Sequence, residues 1–203
     1  MRRAEQKKAA IIQAAKTIFL KQGFSATNMQ DVTDLAQVSK KTVYHHFSDK
    51  TILFQAVLAE HWETINKASY ILNNDEMPEK ALKKFAKKFL LFLYQPETVA
   101  LFRLIIAESD RFPSLCQALL RQGKAPFTQA LIDYLTMQKK MRNLKMKDVE
   151  LAANQFMGLL KEDQFWPKLL GFIPTLNSRR LNKLIKSAIN VFLAAYQTKK
   201  LVN

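Results

Sequence analysis

Apolar side chains recur at the three- and four-residue spacing of an α-helix along nearly the whole 203-residue chain. In the first segment, for example, Ile11, Ile12, Ala15, Ile18 and Phe19 fall on one helical face. A sheet-rich fold needs glycine and proline for its tight turns, and the chain has only 4 Gly and 6 Pro. The sequence therefore predicts an all-α protein.

The first 50 residues predict three helices. The first helix ends at Gly23, because glycine readily adopts the left-handed conformation that follows a helix end. Thr27 and Gln30 have the spacing of a capping box, with Thr27 as the N-cap of a short second helix. Ser39 caps a third helix from Lys40 to Phe47. The turn between the second and third helices is tight, which is typical of a helix-turn-helix.

A longer fourth helix is predicted from Lys50 to about Leu72, and the segments after it are again periodic. We therefore expect two domains. Residues 1–50 are expected to form a helix-turn-helix domain, and residues 51–203 are expected to form a larger helical domain.

The charge of the chain predicts a polyanionic partner. Thirty-two Lys and Arg residues against 17 Asp and Glu give a net charge of +15, which suits nucleic acid or an anionic membrane surface. No run approaches 18 apolar residues, so no transmembrane span is expected. Of the two polyanions we favour nucleic acid, with no membrane partner. The single Cys116 excludes a disulfide within the chain and fits a reducing compartment, which predicts a cytoplasmic location.

The third predicted helix has the chemistry of a DNA-reading element. In a helix-turn-helix the second helix of the pair enters the major groove with its first residues at the base edges. Val43 and Phe47 point inward at helical spacing. The outward positions carry two ammonium groups, a phenol, an imidazole and a hydroxyl, which suit phosphates and base edges. They are Lys40, Lys41, Thr42, Tyr44 and His45.

One pattern runs through about residues 8–58. It includes Gly23-Phe24-Ser25-Ala26-Thr27, Val38-Ser39-Lys40, Thr42-Val43-Tyr44-His45-His46-Phe47 and Lys50. This pattern resembles the N-terminal domain of TetR-family transcriptional regulators. Residues 104–113 and 150–160 are similar to the C-terminal domain of the AefR-like branch of that family.

The resemblance implies a ligand-responsive repressor rather than an enzyme. Such a protein binds a palindromic operator in double-stranded DNA as a homodimer, and a small apolar or aromatic effector releases it. The resemblance thus implies that residues 1–50 are the DNA-binding domain and residues 51–203 the ligand-binding and dimerisation domain. Carried over by position, the resemblance places Lys40, Lys41, Thr42, Tyr44 and His45 in or beside the major groove. It implies phosphate contacts for a further set, namely Thr27, Asn28, His46 and Lys50.

Two positions depart from the family pattern. Gln37 stands in the turn where the family usually has glycine, and a positive φ there would cost up to ~1 kcal/mol. Lys41 stands where a small residue is common. An additional lysine in the groove either reads a guanine or adds affinity for phosphate, so the half-site of relatives does not transfer to this chain.

The last predicted helix, Ser178 to about Thr198, has an apolar arc of roughly 200°. A helix facing one core needs an arc of only about 100°. Either the helix is central in the fold or a second copy of the chain covers the excess, and we favour the second copy. The expected dimer interface comprises Ala152, Phe156, Leu159, Leu184, Ala188, Val191, Phe192 and Ala195.

Aromatic residues of the larger domain are candidates for an effector pocket, with ordinary core packing as the alternative. They are Phe85, Phe89, Phe102, Phe127, Phe165 and Trp166.

The remaining candidates indicate no catalytic or metal chemistry. His45 and His46 are adjacent, so on a helix they diverge by about 100°, which does not suit joint metal binding. The chain has no Gly-rich phosphate loop, no nucleophile elbow and no zinc ligand set, so no cofactor, metal or catalytic residue is expected.

Lys83, Lys84, Lys87 and Lys88 predict a solvated helix face, with a membrane or second nucleic-acid contact as the alternative. A second class of function also stays open at this point. It is a basic helical protein that binds RNA or a membrane surface without sequence specificity.

Overall fold

The computed structural model describes residues 3–66, 72–163, 165–172 and 177–198. Over these residues the chain is helical and has no β-strand, which confirms the predicted all-α class; one isolated bridge joins Leu144 to Gln197. The α-helices are α1 Arg3–Gln22, α2 Met29–Ala36, α3 Lys40–His46, α4 Lys50–Asn66, α5 Pro78–Leu93, α6 Pro96–Glu108, α7 Pro113–Ala118, α8 Ala125–Lys140, α9 Val149–Lys161, α10 Phe165–Leu169 and α11 Ser178–Tyr196. A π-helical segment, Leu119–Lys124, joins α7 to α8.

The chain divides into two compact units. The N-terminal unit comprises Met1–Thr64 and Ala100–Lys124, and the C-terminal unit comprises Ile65–Val99 and Ala125–Asn203. The boundary expected at residue 50 lies inside the N-terminal unit, because α4 and the segment 100–124 pack with the first three helices. Of the fourth helix predicted to about Leu72, residues 67–71 lie outside the described residues.

Four phenylalanines hold the N-terminal unit together. The ring of Phe24 lies 5.6 Å from Phe19 and 5.5 Å from Phe54, and 4.7 Å from Phe112 beyond the end of α6. The rings of Phe19, Phe24 and Phe54 are at most 1% exposed. Phe19 and Phe24 are stacked, whereas Phe54 and Phe112 meet Phe24 edge-to-face, and aromatic contacts of both geometries add to the free energy of burial. They explain why α4 and the end of α6 belong to this unit.

The C-terminal unit is built on α5, α8, α9 and α11. Phe127 of α8 stacks on Phe85 of α5 at 4.3 Å, and Phe156 of α9 meets Phe192 of α11 at 5.1 Å. Among the described residues no single helix is long and apolar enough to cross a membrane; the bent pair of α5 and α6 reaches the required length and composition only together.

Helix α11 is more deeply packed than its sequence suggested. Ala188 and Phe192 are 3% and 1% exposed, and Ala152 and Phe156 of α9 are fully buried. Ala152, Phe156 and Ala188 therefore belong to the core of the C-terminal unit, because their surface is already covered within one chain. Phe192 is also buried but lines the groove between α9 and α11, so its place at a dimer interface stays a prediction. The wide apolar arc arose partly because α11 packs against both α5 and α9.

The other four residues of the expected interface keep exposed surface. Val191 is 53% exposed and Leu159 is 36% exposed. Ala195 is exposed and Leu184 is half-buried. Leu159, Val191 and Ala195, with Gly158, outline a narrower apolar groove between α9 and α11.

Candidate nucleic-acid interface

The helix-turn-helix is fixed by a cap at the start of each of its helices. Asn28 is the N-cap of α2, and its Oδ1 accepts a hydrogen bond of 2.8 Å from the amide of Asp31. Ser39 caps α3 by accepting one of 3.2 Å from the amide of Thr42. Each cap satisfies one of the free amides of a helix start. The structure corrects the predicted cap of α2 from Thr27 to Asn28.

Thr27 has a structural role instead. Its side chain is buried, and its hydroxyl donates to the carbonyl of Gly23 at 2.7 Å. The Thr27 hydroxyl is thus engaged within the protein, and a phosphate contact by Thr27 stays a prediction. Asn28 stays exposed, although its amide oxygen is used in capping α2.

Gln37 ends α2 in the left-handed conformation, with φ of 53°. Its amide bonds to the carbonyl of Asp34 at 3.3 Å, and that of Val38 to Thr33 at 3.3 Å. Gln37 therefore has the positive φ for which a free-energy cost was expected. A residue with a Cβ pays up to ~1 kcal/mol for this conformation, where glycine does not.

Helix α3 presents the chemistry expected of it. Val43 is fully buried and Phe47 nearly so, which fixes the rotation of the helix about its axis. The ammonium of Lys40 lies 6.0 Å from the centre of the Tyr44 ring, within the range of a cation–π contact. Four predicted side chains are exposed, namely Lys40, Lys41, Tyr44 and His45.

Two side chains of α3 that were expected to contact DNA are less exposed than the others. Thr42 is half-buried, and its hydroxyl shares a hydrogen bond of 2.8 Å with that of Ser39. His46 is half-buried between the rings of His45 and Phe47, at 5.3 Å and 6.2 Å. The exposed chemistry of α3 is thus concentrated on the four side chains named above.

The ammonium of Lys50, at the start of α4, is hydrogen-bonded to backbone carbonyls of the same chain. It donates to the carbonyls of Ser25 at 3.0 Å and Thr27 at 2.8 Å, and lies 4.7 Å from the centre of the Phe24 ring. Desolvation lowers the pKa of Lys50, and attraction to Glu108 opposes part of that shift. Two of its three protons are engaged, so one is left for the predicted phosphate contact.

Glu108, the last residue of α6, is hydrogen-bonded to Ser25, in the loop between α1 and α2 that Lys50 also contacts. Its carboxylate accepts hydrogen bonds from the Ser25 amide at 2.8 Å and the Ser25 hydroxyl at 2.6 Å. These bonds, above all that from the hydroxyl, lower the pKa of Glu108. We call residues 23–27 the α1–α2 loop. The role of Glu108 could not be predicted from sequence, because no local pattern relates it to a serine 83 residues away.

The six aromatic candidates for an effector pocket do not form one cluster. Phe85, Phe89 and Phe127 stack on one another in the C-terminal unit, with Phe89 and Phe127 4.9 Å apart. Phe102 contacts Trp62 in the N-terminal unit, at 5.7 Å. The remaining two candidates are consecutive in the C-terminal unit, the buried Phe165 and the half-exposed Trp166.

Comparison with known proteins gives family matches for both parts of the chain. Residues 11–57 match the family described as bacterial regulatory proteins of the tetR family. Residues 80–198, more than half of the chain, match the family described as the C-terminal domain of AefR-like transcriptional repressors. The first match contains α2 and α3 in full, and the second contains α9 and α11.

Individual relatives agree with these matches. Over 61 residues the chain is 39% identical to the HTH-type transcriptional regulator TtgR of Pseudomonas putida, and this match covers 30% of this chain and 29% of TtgR. The structure superposes on the flavonoid-responsive regulator FrrA with a TM-score of 0.84 and 30% identity, over 97% of this chain and 100% of FrrA. A TetR-family regulator from Mesorhizobium loti gives a TM-score of 0.86 at 27% identity, over 98% and 100% of the two chains.

The Glu108 carboxylate should stabilise the protein in a pH-dependent way. Because its pKa is lowered in the fold, its contribution is complete above the ordinary value near 4.5 and is lost as the pH falls through the lowered value. We expect Glu108→Gln to lower the free energy of unfolding at pH 7 by about 1 kcal/mol, or Tm by about 2–4 °C. The gap to wild type should stay constant from about pH 7 to the ordinary pKa and should narrow as thermal unfolding is followed at lower pH.

Asp110→Asn is the control, because it removes an exposed carboxylate two residues away. Its Tm should follow wild type at every pH. A Glu108→Gln deficit that does not narrow at the lower pH would show that the charge of the carboxylate is not what stabilises the loop.

Proposed function

Because the chain belongs to the TetR family of bacterial transcriptional regulators, we propose that it is a ligand-responsive repressor that binds a palindromic operator as a homodimer. The observation that carries the proposal is the set of exposed side chains on α3. Two lysines, a tyrosine and a histidine project from a helix whose rotation is fixed by the buried Val43. The repressor role follows the description of the AefR-like domain that residues 80–198 match.

The exposed side chains of α3 divide by the contact each is suited to make. Lys40 and Lys41 stand at the first two positions of α3, the end that approaches base edges in helix-turn-helix proteins. A lysine there donates to the O6 and N7 acceptors of guanine. Tyr44 lies one turn further along, beside Lys40, where a phenol donates to a phosphate oxygen. We assign base reading to Lys41 and positioning to Tyr44.

Dimerisation through α9 and α11 would cover the groove that the fold leaves open. Leu159 and Val191 are partly exposed on it, beside Ala195. A Cβ placed on Gly158 would meet no other atom within 4 Å, so a partner helix has room to approach there. A two-fold axis through this groove would give two copies of α3, as a palindromic operator requires.

The effector is proposed to be a planar aromatic molecule that carries a polar group. FrrA is flavonoid-responsive by name, and this chain matches it over nearly its whole length. Phe85, Phe89 and Phe127 stack on one another and are at most 7% exposed, so an aromatic effector would have to enter between their rings. The next residue, Thr128, has a buried hydroxyl with no hydrogen-bond partner among the described residues. A buried hydroxyl without a partner is costly, and a phenol would satisfy it.

Substitutions on α3 test how DNA is read. Lys41→Ala should cost ~1–3 kcal/mol on a palindrome from the promoter of the protein's own gene and much less on random duplex, because it loses a base contact. Tyr44→Ala should weaken both by a similar factor, because phosphate contacts are independent of sequence. Gel shifts with scrambled competitor measure the two affinities. Equal losses on both DNAs for Lys41→Ala would make Lys41 a phosphate contact.

A charge in the α9–α11 groove tests the assembly. Val191→Glu should convert the dimer to a folded monomer, because Val191 lies on the groove with half of its side chain exposed. Asn190→Glu, one residue away on an exposed position, should remain dimeric. Light scattering after size-exclusion chromatography gives the mass, and circular dichroism checks the fold. A wild-type monomer at micromolar concentration would contradict the proposed dimer.

The effector is tested with flavonoids as the probe. A flavonoid that binds should raise Tm and weaken operator binding by about 5–150-fold, the range of ordinary allosteric coupling. Thr128→Val should fold normally and lose most of the Tm increase, because the variant has no hydroxyl to bind a phenol. Thr136→Val, whose hydroxyl bonds to its own helix, is the control. Flavonoids that raise Tm without changing operator affinity would show that this site does not regulate DNA binding.

A further inference from the structure

The positive charge of the protein lies mostly away from α3. The C-terminal unit contains 19 Lys and Arg residues against nine Asp and Glu, a net charge of +10. The N-terminal unit, which carries α3, contains 13 against eight, a net charge of only +5. The charge that predicted a polyanionic partner is therefore concentrated on a unit without the helix-turn-helix.

Five lysines of this excess share one face of α5. At 100° per residue they span an arc of about 140°, opposite the buried side of the helix. The apolar side chains of that buried side are at most 7% exposed. All five lysines are exposed, and we call them the basic face: Lys80, Lys83, Lys84, Lys87 and Lys88.

Few ion pairs within the described residues neutralise the positive charge of the basic face. Glu76 forms ion pairs with Lys80, at 3.3 Å, and with Lys84. Lys83, Lys87 and Lys88 have no ion pair with a described acidic residue. Like charges three or four residues apart on a helix cost a few tenths of a kcal/mol per pair, and Lys83–Lys87 and Lys84–Lys88 are such pairs. An external anion would relieve this repulsion.

Helix α11 adds positive charge to the same unit. It packs against α5. Three further exposed cations lie on α11, namely Arg179, Lys183 and Lys186.

We propose that the basic face of α5 is a second DNA-binding surface that contacts the phosphate backbone of duplex DNA without reading sequence. From Lys80 to Lys88 the face is about 12 Å long, which is comparable with the width of the major groove between its two phosphate strands. Lysines on flexible stems act as point charges and suit phosphates wherever these lie. This surface is independent of α3 and stands whether or not α3 reads an operator.

Duplex DNA fits this face better than a lipid surface does. A helix that binds a membrane interface inserts an apolar face beside its basic one. The apolar side of α5 is committed to the core, with Ala81, Leu82, Ala86 and Leu90 fully buried. Leu91 is its one large apolar side chain with substantial exposure. The anion that the basic face meets is therefore bound by charge alone.

The test compares two triple variants of the full-length protein with the same change in net charge. Lys83→Gln, Lys87→Gln and Lys88→Gln together neutralise the basic face. Lys21→Gln, Arg121→Gln and Lys124→Gln together neutralise three cations of the N-terminal unit that lie outside α3. The probe is a random duplex without a palindrome, and fluorescence anisotropy gives its affinity from about 50 to about 200 mM salt. Both variants are also made with Lys41→Ala and Tyr44→Ala, which removes the proposed contribution of α3.

In the basic-face variant we expect the slope of log K against log salt to fall by about 2–3 units, since each phosphate contact contributes roughly 0.9. Affinity at about 50 mM salt should fall at least about tenfold, and the control variant should change the slope by less than about one unit. The same difference should persist when α3 is disabled. Equal slopes in the two variants would show that the basic face is exposed to solvent and does not bind duplex DNA. Binding to phosphatidylglycerol vesicles that depends on the basic face, without such a loss on duplex DNA, would assign the face to a membrane and overturn the proposal.

Discussion

The helix-turn-helix depends on two opposite charges that hold the α1–α2 loop. Lys50 donates to the carbonyls of Ser25 and Thr27, while Glu108 accepts from the amide and hydroxyl of Ser25. Each charge thus bonds to the loop rather than to the other charge. Hydrogen bonds to ionised groups are about twice as strong as neutral ones. The loop leads directly into the N-cap of α2, so these bonds fix where α2 begins.

The interior of the N-terminal unit could be predicted from sequence, because helical periodicity decides which side of a helix is buried. Val43 and Phe47 follow from their spacing, and the outward Lys40, Lys41, Tyr44 and His45 follow from theirs. The cap of α2 was misplaced by one residue because Thr27 and Asn28 are both good N-caps. The structure gives the cap to Asn28, since the hydroxyl of Thr27 bonds to Gly23. The Glu108 contact joins distant residues, and local patterns carry no information about it.

The sequence could not predict which apolar side chains of the C-terminal unit stay exposed. The apolar arc of α11 correctly indicated more than one packing surface, but core and interface residues are equally apolar. Ala188 and Phe192 therefore looked the same in sequence as Val191, although only Val191 keeps exposed surface. A similar ambiguity applies to the aromatic candidates. Phe85 and Phe127 stack at 4.3 Å, whereas Phe102 belongs to the other unit. Periodicity assigns a side chain to the inside, and only packing shows what covers it.

The course of α6 indicates how an effector and DNA would influence each other. Its first residues, Pro96–Val99, belong to the C-terminal unit, and the rest, ending at Glu108, belongs to the N-terminal unit. If the proposed effector shifts the start of this helix, the carboxylate that holds the α1–α2 loop lies on the same continuous helix. The effector regulates DNA binding only if it binds the two states of that helix with different affinity. By linkage, operator DNA then weakens ligand binding by the same factor, and a coupling of ~1–3 kcal/mol is enough. That coupling is comparable to the roughly 1 kcal/mol assigned to the Glu108 bonds, so loss of this one contact is of the right size to carry the signal.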